Sequence, residues 1–386
     1  MIIDEPIIKS ILDNDLYTFT VGQVAFNHFP NVKVKYRFIN RGKTKFPYGF
    51  YAELLVQLEH MRNLALNDVE YAWLETLGYF SFEYLQFLKN YRFNPDELTI
   101  TMHDGNLDVE FEGTWVGLIM WEVPFLALVS ELYYKINGLK KDSLWKDRIA
   151  AKARLLSHNG SQWMEFGTRR RFDFESQNAV VAIQKEYKGF LGTSNMLLAM
   201  IHKVLANGTM SHQGPMAMQA IFGIKYANKA WRWYWTLTHG GKLNTFLPDT
   251  FTTKVFFQDF DKEEARRWNL RQDSGDPYSW MDMVIEHYAK LGVPTQDRKF
   301  VFSDSLDPEK FNALTNKYRE VGTIIGGIGT NLSNDCGHSP LSIVIKLSAV
   351  NIGDKWIEVV KLSDTNGKYT GLPDAILQAK QTLNIS

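Results

Sequence analysis

From about residue 138 onwards, short apolar segments alternate with stretches of helical periodicity, and each apolar segment ends in small or polar residues. Alternating β and α units favour a parallel sheet with right-handed crossovers. Repeated polar strand ends favour a barrel, because the active site of a barrel gathers at the C-terminal ends of its strands. The polar clusters lie at residues 192–195, 208–212, 248–250, 271–276, 303–305 and 326–330. The predicted helices lie at residues 194–206, 228–238, 262–269, 279–291 and 308–319.

Both ends of the chain have a different pattern, in which apolar and polar residues alternate with period two. This alternation predicts half-buried antiparallel strands. One pair of such segments flanks an Asp-Gly-Asn turn at residues 104–106, which predicts a β-hairpin. The strand-like segments are residues 32–40, 98–102, 107–111, 341–350 and 355–362. Helices are predicted between the first of them at residues 50–66 and 72–90.

Composition excludes several classes of protein. The 386 residues include 43 Lys and Arg and 43 Asp and Glu, so the zero net charge gives no general attraction for nucleic acid. The single cysteine, Cys336, excludes an intrachain disulfide framework and is typical of a reducing compartment. The N-terminus lacks a signal-peptide pattern, and the apolar stretch 116–129 is interrupted by Glu122 and Pro124. These features predict a cytoplasmic protein with no membrane span.

Three short motifs contain residue types suited to an anionic substrate. Three arginines follow a Gly-Thr turn within residues 165–171, and arginine forms bidentate contacts with phosphate or carboxylate, although a solvated surface run is an alternative. The segment 271–276 combines a cation, two carboxylates and a serine, which suits either a phosphorylated sugar with magnesium or a capped turn. The glycines of residues 326–331 allow backbone N–H groups to converge on an anion, or form a tight turn.

His212 ends one of the polar clusters, which favours a role in the site, although an isolated histidine is more often structural. Aromatic residues make up 14% of the chain, and a dense cluster is formed by Trp231, Trp233, Tyr234 and Trp235. A stacking platform for a sugar or a base is one interpretation of this cluster. Its helical spacing favours packing against the barrel instead.

Six motifs occur together in one order, at residues 12–17, 165–171, 192–195, 208–212, 273–276 and 327–332. This ordered set resembles the nicotinate phosphoribosyltransferase family over residues 12–368. The resemblance implies an α/β plus α+β protein of the type II phosphoribosyltransferase fold. An irregular, TIM-like α/β barrel would occupy residues 141–334, and an α+β sandwich domain would be formed by residues 1–140 and 335–386.

The resemblance also implies the activity. An enzyme of this family would convert nicotinate and 5-phosphoribosyl 1-pyrophosphate to nicotinate mononucleotide and pyrophosphate, in the salvage branch of NAD biosynthesis. ATP would be a co-substrate whose hydrolysis is coupled through a phosphohistidine, which places the enzyme in the ligase-type class, and Mg²⁺ would be the cofactor. The expected assembly is a cytoplasmic homodimer with shared active sites and with no nucleic-acid or membrane partner.

Individual roles follow from the same resemblance. His212 would be phosphorylated, Asp273 would contribute to the metal site, and Tyr17 would reach the site of a neighbouring subunit. The implied catalytic residues are His212, Asp249, Arg271 and Asp273. The implied nicotinate-binding residues are Tyr17, Phe166, Arg169, Ser194 and Asn195. The implied phosphoribosyl- and phosphate-binding residues are Arg271, Ser274, Gly275, Ser303, Asp304, Gly326, Gly327, Gly329 and Thr330.

One position departs from the family pattern. Glutamate commonly follows the family histidine, whereas His212 is followed by Gln213. A neutral amide orients an imidazole less well than a carboxylate does, which puts the efficiency of phosphorylation in question. This departure keeps a non-catalytic nucleotide-binding paralogue open as an alternative. Two further alternatives are a related transferase for nicotinamide or another base and an aromatic-rich interaction protein.

Overall fold

The computed structural model describes residue 3 and residues 5–385. Its strands are β1 (Lys33–Asn40), β2 (Leu98–His103), β3 (Asn106–Thr114), β4 (Gln162–Glu165), β5 (Phe190–Thr193), β6 (Thr245–Phe246), β7 (Asn269–Gln272), β8 (Lys299–Phe302), β9 (Thr323–Ile328), β10 (Ile343–Ile352) and β11 (Lys355–Glu358). Short 3₁₀ turns lie at Pro95–Glu97, Ile119–Trp121, Thr168–Arg170 and Pro248–Phe251.

In the second half of the chain, α-helices alternate with strands, as the sequence predicts. The α-helices of the whole chain are α1 (Leu16–His28), α2 (Phe50–Arg62), α3 (Asp68–Thr76), α4 (Phe82–Asn90), α5 (Trp115–Leu118), α6 (Glu122–Ile136), α7 (Trp145–His158), α8 (Phe174–Gln184), α9 (Met196–His202), α10 (Gln213–Phe222), α11 (Ala227–His239), α12 (Thr253–Phe256), α13 (Lys262–Arg267), α14 (Pro277–Leu291), α15 (Pro308–Tyr318), α16 (Thr330–Ser333) and α17 (Pro373–Leu383). The predicted helix over 72–90 is two helices, because Ser81 caps a new helix by accepting a hydrogen bond from the Tyr84 N–H.

Both ends of the chain contribute to one antiparallel sheet, in the order β11-β10-β1-β3-β2. The pairing of β1 with β10 joins residues more than 300 positions apart, from Val34 opposite Val350 to Asn40 opposite Ile343. The hairpin β2–β3 turns through Asp104 and Gly105, both at positive φ, as its turn sequence predicts.

The second sheet is parallel, with the order β5-β4-β9-β8-β7-β6. Met164, Val301 and Ile325 from three of its strands form a separate apolar cluster with Phe166 and Leu191. Such a cluster is the interior of a sheet that curls into a barrel. The predicted fold class, α/β plus α+β, is confirmed, whereas the exact domain boundaries stay a prediction.

Two details of the barrel differ from the sequence prediction. No strand precedes the 208–212 cluster in the described part of the chain, and only a single bridge between Thr193 and Ala206 extends the sheet there. The Thr209 hydroxyl donates to the Thr245 carbonyl and links this segment to β6. Gly326 and Gly327 lie inside β9 rather than in a loop, so of the predicted glycines only Gly329 follows the strand.

The run Trp115–Ile136 is helical over 22 residues and contains an 18-residue window with a mean hydropathy of 1.5, all of which is buried inside the protein. Glu122 and Pro124 interrupt the apolar sequence but not the helical run, because both residues lie in the first turn of α6, where a proline is tolerated. By length and composition the run could cross a membrane, but the complete burial of this window is typical of a core helix.

Trp231 and Trp235 on α11 are 1% and 0% exposed, whereas Trp233 is 63% exposed. The packing interpretation of the tryptophan cluster is therefore confirmed for two of its members. Trp231 contacts the Met210 sulfur and covers Gly214, where an added Cβ would lie 2.3 Å from the indole ring.

We expect the Trp231→Ala variant to lose about 3–5 kcal/mol of unfolding free energy, because it removes a large buried side chain and leaves a cavity. Trp233→Ala is the matched control on the same helix, with an expected change within about 0.5 kcal/mol. Urea unfolding of both variants measures the difference. Equal losses would contradict the described packing of α11.

Candidate active site

An open cavity of about 760 Å³ lies at the C-terminal ends of the barrel strands, facing the antiparallel sheet. Many of the residues predicted from the sequence meet there. Those that line it are Phe166, Arg169, Arg271, Asp273, Ser303, Asp304, Gly327, Gly329 and Thr330. A smaller cavity of about 60 Å³ adjoins it and is lined by Tyr17, Glu122, Arg169, His212 and Lys346, among others.

His212 is 7% exposed and precedes α10 at the wall of the smaller cavity. Its Nε2 lies 2.8 Å from Asp249 Oδ1 and 3.8 Å from Asp273 Oδ2. Burial, assisted by Lys361, lowers the pKa of His212 to about 4, although Asp249 opposes the shift. The imidazole is therefore neutral near pH 7. Because a carboxylate only accepts hydrogen bonds, its proton lies on Nε2 and the lone pair lies on Nδ1.

Asp249 is completely buried behind His212. Its Oδ2 accepts a hydrogen bond from the Ser274 hydroxyl at 2.5 Å and lies 3.4 Å from the Lys361 ammonium. Burial alone would raise the pKa of this carboxyl, but Lys361, His212 and Ser274 together hold it well below its usual range. Asp249 is thus an ionised group that orients His212 and does not line either cavity.

Arg271 lies at the end of β7, where it organises the polar wall. Its Nε donates to the Ser303 hydroxyl at 2.9 Å, and its Nη2 lies 3.2 Å from Asp273 Oδ1. Ser303 in turn donates to Asp273 Oδ1 at 2.8 Å. Enclosure would raise the pKa of Asp273, but Arg271 and then His212 lower it to about 2. Arginine, carboxylate and hydroxyl are therefore held in fixed positions at the cavity.

Phe166 follows β4 and its backbone N–H donates to the Ile328 carbonyl at 2.9 Å. The Arg271 guanidinium lies 5.7 Å from the centre of its ring. Gly327 packs against the same ring, since an added Cβ would lie 2.6 Å from it. This close approach explains the glycine better than a phosphate loop does.

Arg169 lines both cavities, and its Nη1 lies 3.6 Å from Glu122 Oε1. Tyr17 lines the smaller cavity of its own chain, and its buried hydroxyl has no hydrogen-bond partner. The structure thus brings Tyr17 to Arg169 and His212 without a second subunit, unlike the sequence-based expectation. Ser211 also has a buried hydroxyl without a partner on the same wall.

Several cations of the large cavity were missed in the sequence. Lys346 lies on β10, and Lys361 and Lys368 lie on the segment after β11. The missed cations are Arg41, Arg170, Lys310, Lys346, Lys361 and Lys368. Burial, with repulsion from Lys361, lowers the pKa of Lys346 to about 7. The cavity therefore concentrates positive charge in a protein whose net charge is zero, which favours an anionic ligand.

Several predicted residues do not line either cavity. Ser194 donates to Asp15 Oδ1 at 2.8 Å, and Asn195 donates to Asp13 Oδ1 at 2.7 Å and caps α9. These two side chains hold the N-terminal segment against the barrel, which leaves no polar group directed at a substrate.

The phosphate-binding set needs a similar correction at three positions. Ser274 is fully buried and bound to Asp249, and the Gly275 N–H donates to the Thr365 hydroxyl at 2.9 Å. Gly326 faces Phe311, where an added Cβ would lie 2.9 Å from the ring. These residues shape the wall from behind, because their polar groups are already used within the protein.

Gln213, the position that departs from the family pattern, does not contact the His212 imidazole. Its Oε1 accepts from the Tyr36 hydroxyl at 2.5 Å and from the Trp115 indole at 3.0 Å, and its Nε2 lies 3.4 Å from Glu122 Oε2. The carboxylate that orients His212 comes from Asp249 instead. The amide at position 213 therefore leaves the orientation of His212 intact.

His212, Asp249 and Asp273 each offer an atom that could bind a metal ion, and these atoms lie within 4.8 Å of one another. Mg²⁺ prefers oxygen ligands and usually binds one or two carboxylates together with waters and substrate phosphates. Asp273 fits such a shared site because it lines both cavities, whereas Asp249 lines neither and its oxygens are bound to His212 and Ser274. The two aspartates do not form a closed cage, because Arg271 and Lys361 already neutralise them.

Comparison with known proteins identifies the family. Residues 161–384 match the model of the nicotinate phosphoribosyltransferase (NAPRTase) family, and residues 12–130 match that of its N-terminal domain. The chain is 38% identical to nicotinate phosphoribosyltransferase of Chromohalobacter salexigens over 98% of this chain and 99% of that protein. It is 38% identical to that of Methanosarcina mazei over 96% of each chain.

A solved structure gives the same result. The crystal structure of nicotinate phosphoribosyltransferase from Porphyromonas gingivalis is 37% identical and superposes with a TM-score of 0.96, covering 98% of this chain and 100% of that one. Sequence and fold agree, and the chain belongs to the nicotinate phosphoribosyltransferase family.

Proposed function

We propose that the protein transfers the phosphoribosyl group of 5-phosphoribosyl 1-pyrophosphate to nicotinate, and that ATP drives the reaction by phosphorylating His212. The products are nicotinate mononucleotide and pyrophosphate, which makes the reaction a salvage step toward NAD and the enzyme one of the ligase-type class. One observation carries the proposal: the neutral, Asp249-bound His212 lies at the wall of the smaller cavity, which adjoins the cation-rich large cavity and shares Arg169, Arg271 and Lys346 with it.

The transfer step is a displacement at C1 of the ribose, with positive charge developing on the sugar and negative charge on the leaving pyrophosphate. Arg271 and the lysines of the cavity stabilise the departing charge, because preorganised cations bind it more strongly as it develops. Asp273 faces the ribose side of the same wall. The pyridine nitrogen has a free lone pair, so no general base is needed. Mg²⁺, when bound with substrate through Asp273, would neutralise part of the pyrophosphate charge.

The phosphorylation step uses the free lone pair of His212. Nδ1 attacks the γ-phosphorus of ATP, the bond to the bridging oxygen breaks, and ADP leaves with the electron pair. The imidazole becomes cationic, and Asp249 stabilises that charge through the hydrogen bond from Nε2. The new phosphate places negative charge beside the cations of the cavity and so changes the affinity for phosphoribosyl pyrophosphate. Hydrolysis after transfer resets the site and favours product release.

The base is bound near Phe166, Tyr17 and Arg169. Phe166 offers an aromatic face, and Arg169 is the cation shared by the two cavities. A cationic wall favours nicotinate over nicotinamide because only the acid carries a carboxylate.

For Arg169→Ala we expect the KM for nicotinate to rise about tenfold or more, since a charge-assisted hydrogen bond contributes about 1.5–3 kcal/mol. The KM for phosphoribosyl pyrophosphate should change less. Arg169→Lys is the control that keeps the charge but not the planar fork. An unchanged KM for nicotinate in the alanine variant would contradict the carboxylate role.

We propose further that the enzyme works as a cytoplasmic homodimer. Exposed apolar side chains between α9 and the start of α11, including Leu205, Phe222 and Tyr226, support an association surface. The single buried cysteine is compatible with a reducing compartment. Sedimentation velocity measures the oligomeric state, and a monomer at micromolar concentration would contradict the assembly.

The substrate is tested by competition. Nicotinate and nicotinamide are supplied together with phosphoribosyl pyrophosphate and Mg²⁺, and the two mononucleotides are quantified. We expect nicotinate mononucleotide to dominate. Dominance of nicotinamide mononucleotide supports the related transferase, and binding of phosphoribosyl pyrophosphate without turnover supports the non-catalytic paralogue.

A further inference from the structure

A buried polar network lies behind the segment that carries Phe166 and Arg169. Its centre is Glu165, which ends β4, is completely buried and does not line either cavity. Glu165 Oε1 accepts a hydrogen bond from the Gly167 N–H at 2.5 Å. Glu165 Oε2 accepts from the Thr193 hydroxyl at 2.5 Å and from Gln177 Nε2 at 3.0 Å. Burial raises the pKa of Glu165 to about 7, although these donors oppose the shift.

When Glu165 is ionised, its neighbours fix the direction of the hydrogen bonds that Gln177 makes. Gln177 donates from Nε2 to Glu165 and also to the Thr168 hydroxyl at 2.8 Å. Its Oε1 accepts from Arg171 Nη1 at 3.2 Å, and Arg171 is bound to Asp13 by two contacts of 2.6 and 2.7 Å. A guanidinium only donates and a carboxylate only accepts, so the Gln177 amide has one satisfied orientation.

The network ends on the backbone between Phe166 and Arg169. The Gly167 N–H donates to Glu165, and the Gly167 carbonyl accepts from the Ser333 hydroxyl at 2.9 Å. Space is also limited, because a Cβ at Gly167 would lie 2.0 Å from the Ser333 hydroxyl oxygen. The backbone N–H and the carbonyl of Gly167 are thus both hydrogen-bonded to buried side chains that do not line either cavity.

We propose that Glu165 and Gln177 are positioning residues for the base, holding the 166–169 segment so that Phe166 and Arg169 face the cavity together. The identity of the base in this role rests on the proposed function. The geometry of the 166–169 segment does not depend on it. Arg171, although part of the arginine run, serves this network from a fully buried position and does not contact the substrate.

The proposal predicts a specific pattern of loss and rescue. In Glu165→Gln, the new amide keeps its oxygen toward Gly167 and presents its NH₂ to the NH₂ of Gln177. Rotating the Gln177 amide only moves the conflict, since its NH₂ would then face Arg171. In the double variant Glu165→Gln with Gln177→Glu, the carboxylate at 177 accepts from the new amide, from Thr168 and from Arg171. The pairing between positions 165 and 177 and the net charge are then restored, whereas the Thr193 hydroxyl must accept from the new amide instead of donating to position 165.

The test compares wild type, both single variants and the double variant in nicotinate and phosphoribosyl pyrophosphate titrations. For Glu165→Gln we expect the KM for nicotinate to rise about tenfold while the KM for phosphoribosyl pyrophosphate stays within about twofold. The double variant should return to within about threefold of wild type. Glu131→Gln is the matched control, because Glu131 is a buried carboxylate 3.8 Å from Arg171 Nε that does not touch the 166–169 segment. Its KM for nicotinate should not change.

Limited trypsin digestion gives a second readout that does not depend on activity. Cleavage after Arg169 and Arg170 should accelerate in Glu165→Gln and return to the wild-type rate in the double variant. If the single variant does not fold, the folded double variant decides: wild-type values support the proposal, and a raised nicotinate KM with rapid cleavage overturns it. Equal changes in both KM values, or no change in cleavage, also overturn it. Absence of nicotinate transfer by the wild type overturns the proposed function, and the digestion still decides the positioning role.

Discussion

In the His212→Ala variant, we expect ATP to lose its effect on the transfer reaction, while slow ATP-independent transfer remains. The alanine removes the nitrogen that would carry the phosphate but leaves Arg271 and Asp273 in place. Coupling free energies between two ligands are typically about 1–3 kcal/mol, equivalent to about 5–150-fold in affinity. In His212→Ala, the rate with ATP should therefore lie within about twofold of the rate without ATP.

The control for this variant is His239→Gln. His239 is also buried, lies on α11 and has its Nε2 3.0 Å from the Thr20 carbonyl, away from both cavities. We expect its ATP stimulation to equal that of wild type. Full ATP coupling in His212→Ala would contradict the assignment, as would loss of coupling in both variants.

The second large effect is expected for Arg271→Ala. This substitution removes the cation from the centre of the polar wall and leaves Asp273 without its closest positive partner. Removing one preorganised group that stabilises transition-state charge typically costs about 10²–10³-fold in rate. We expect kcat/KM for phosphoribosyl pyrophosphate to fall by about that factor, measured by initial rates at saturating nicotinate.

Two comparisons make the Arg271 result specific. Arg271→Lys keeps the charge but loses the planar fork that reaches both Ser303 and Asp273, so it should recover only part of the activity. Arg266→Ala removes an exposed arginine on α13 that pairs with Glu263, and it should be as active as wild type. Less than about fivefold loss in Arg271→Ala would show that the pyrophosphate is stabilised elsewhere.

The barrel and the antiparallel layer could be predicted from the sequence because their signals are local. Strand β8 is an example: the apolar run 300–302 ends in Ser303 and Asp304, and the structure places both at the cavity. The predicted cluster 271–276 likewise brings Arg271 and Asp273 to the cavity. The same cluster also contains Asp276, which caps α14 by accepting from the Ser279 N–H. Ligand-binding sites and helix caps use the same residue types. Sequence alone therefore could not tell which residues of this cluster face the cavity and which cap the helix.

The same ambiguity explains the residues that the resemblance placed in the site and the structure does not. Asn195 has the appearance of a ligand-binding residue, but its side chain caps α9 and binds Asp13. Ser274 likewise does not face the cavity, because its hydroxyl donates to the buried Asp249. A polar residue at a strand end faces either the cavity or a neighbouring segment, and the local pattern is the same in both cases.

The missed cations have a different cause. Lys346 occupies a position in β10 whose neighbours Ile345 and Leu347 are buried, so alternation predicts that its side chain faces solvent. The face it occupies is instead the one that covers the barrel mouth. Lys361 reaches Asp249 from a segment more than 100 residues away. Only the three-dimensional pairing of the two sheets brings these charges together.

The central claim is that His212 carries a phosphate received from ATP. The most direct measurement incubates the enzyme with ATP and Mg²⁺, omits acid in the workup, and maps the acid-labile phosphate by mass spectrometry. We predict phosphate on the peptide that contains His212, at Nδ1, and its loss when nicotinate and phosphoribosyl pyrophosphate are added. ATP-stimulated transfer without any phosphate on His212, or with the phosphate on another residue, would contradict the account.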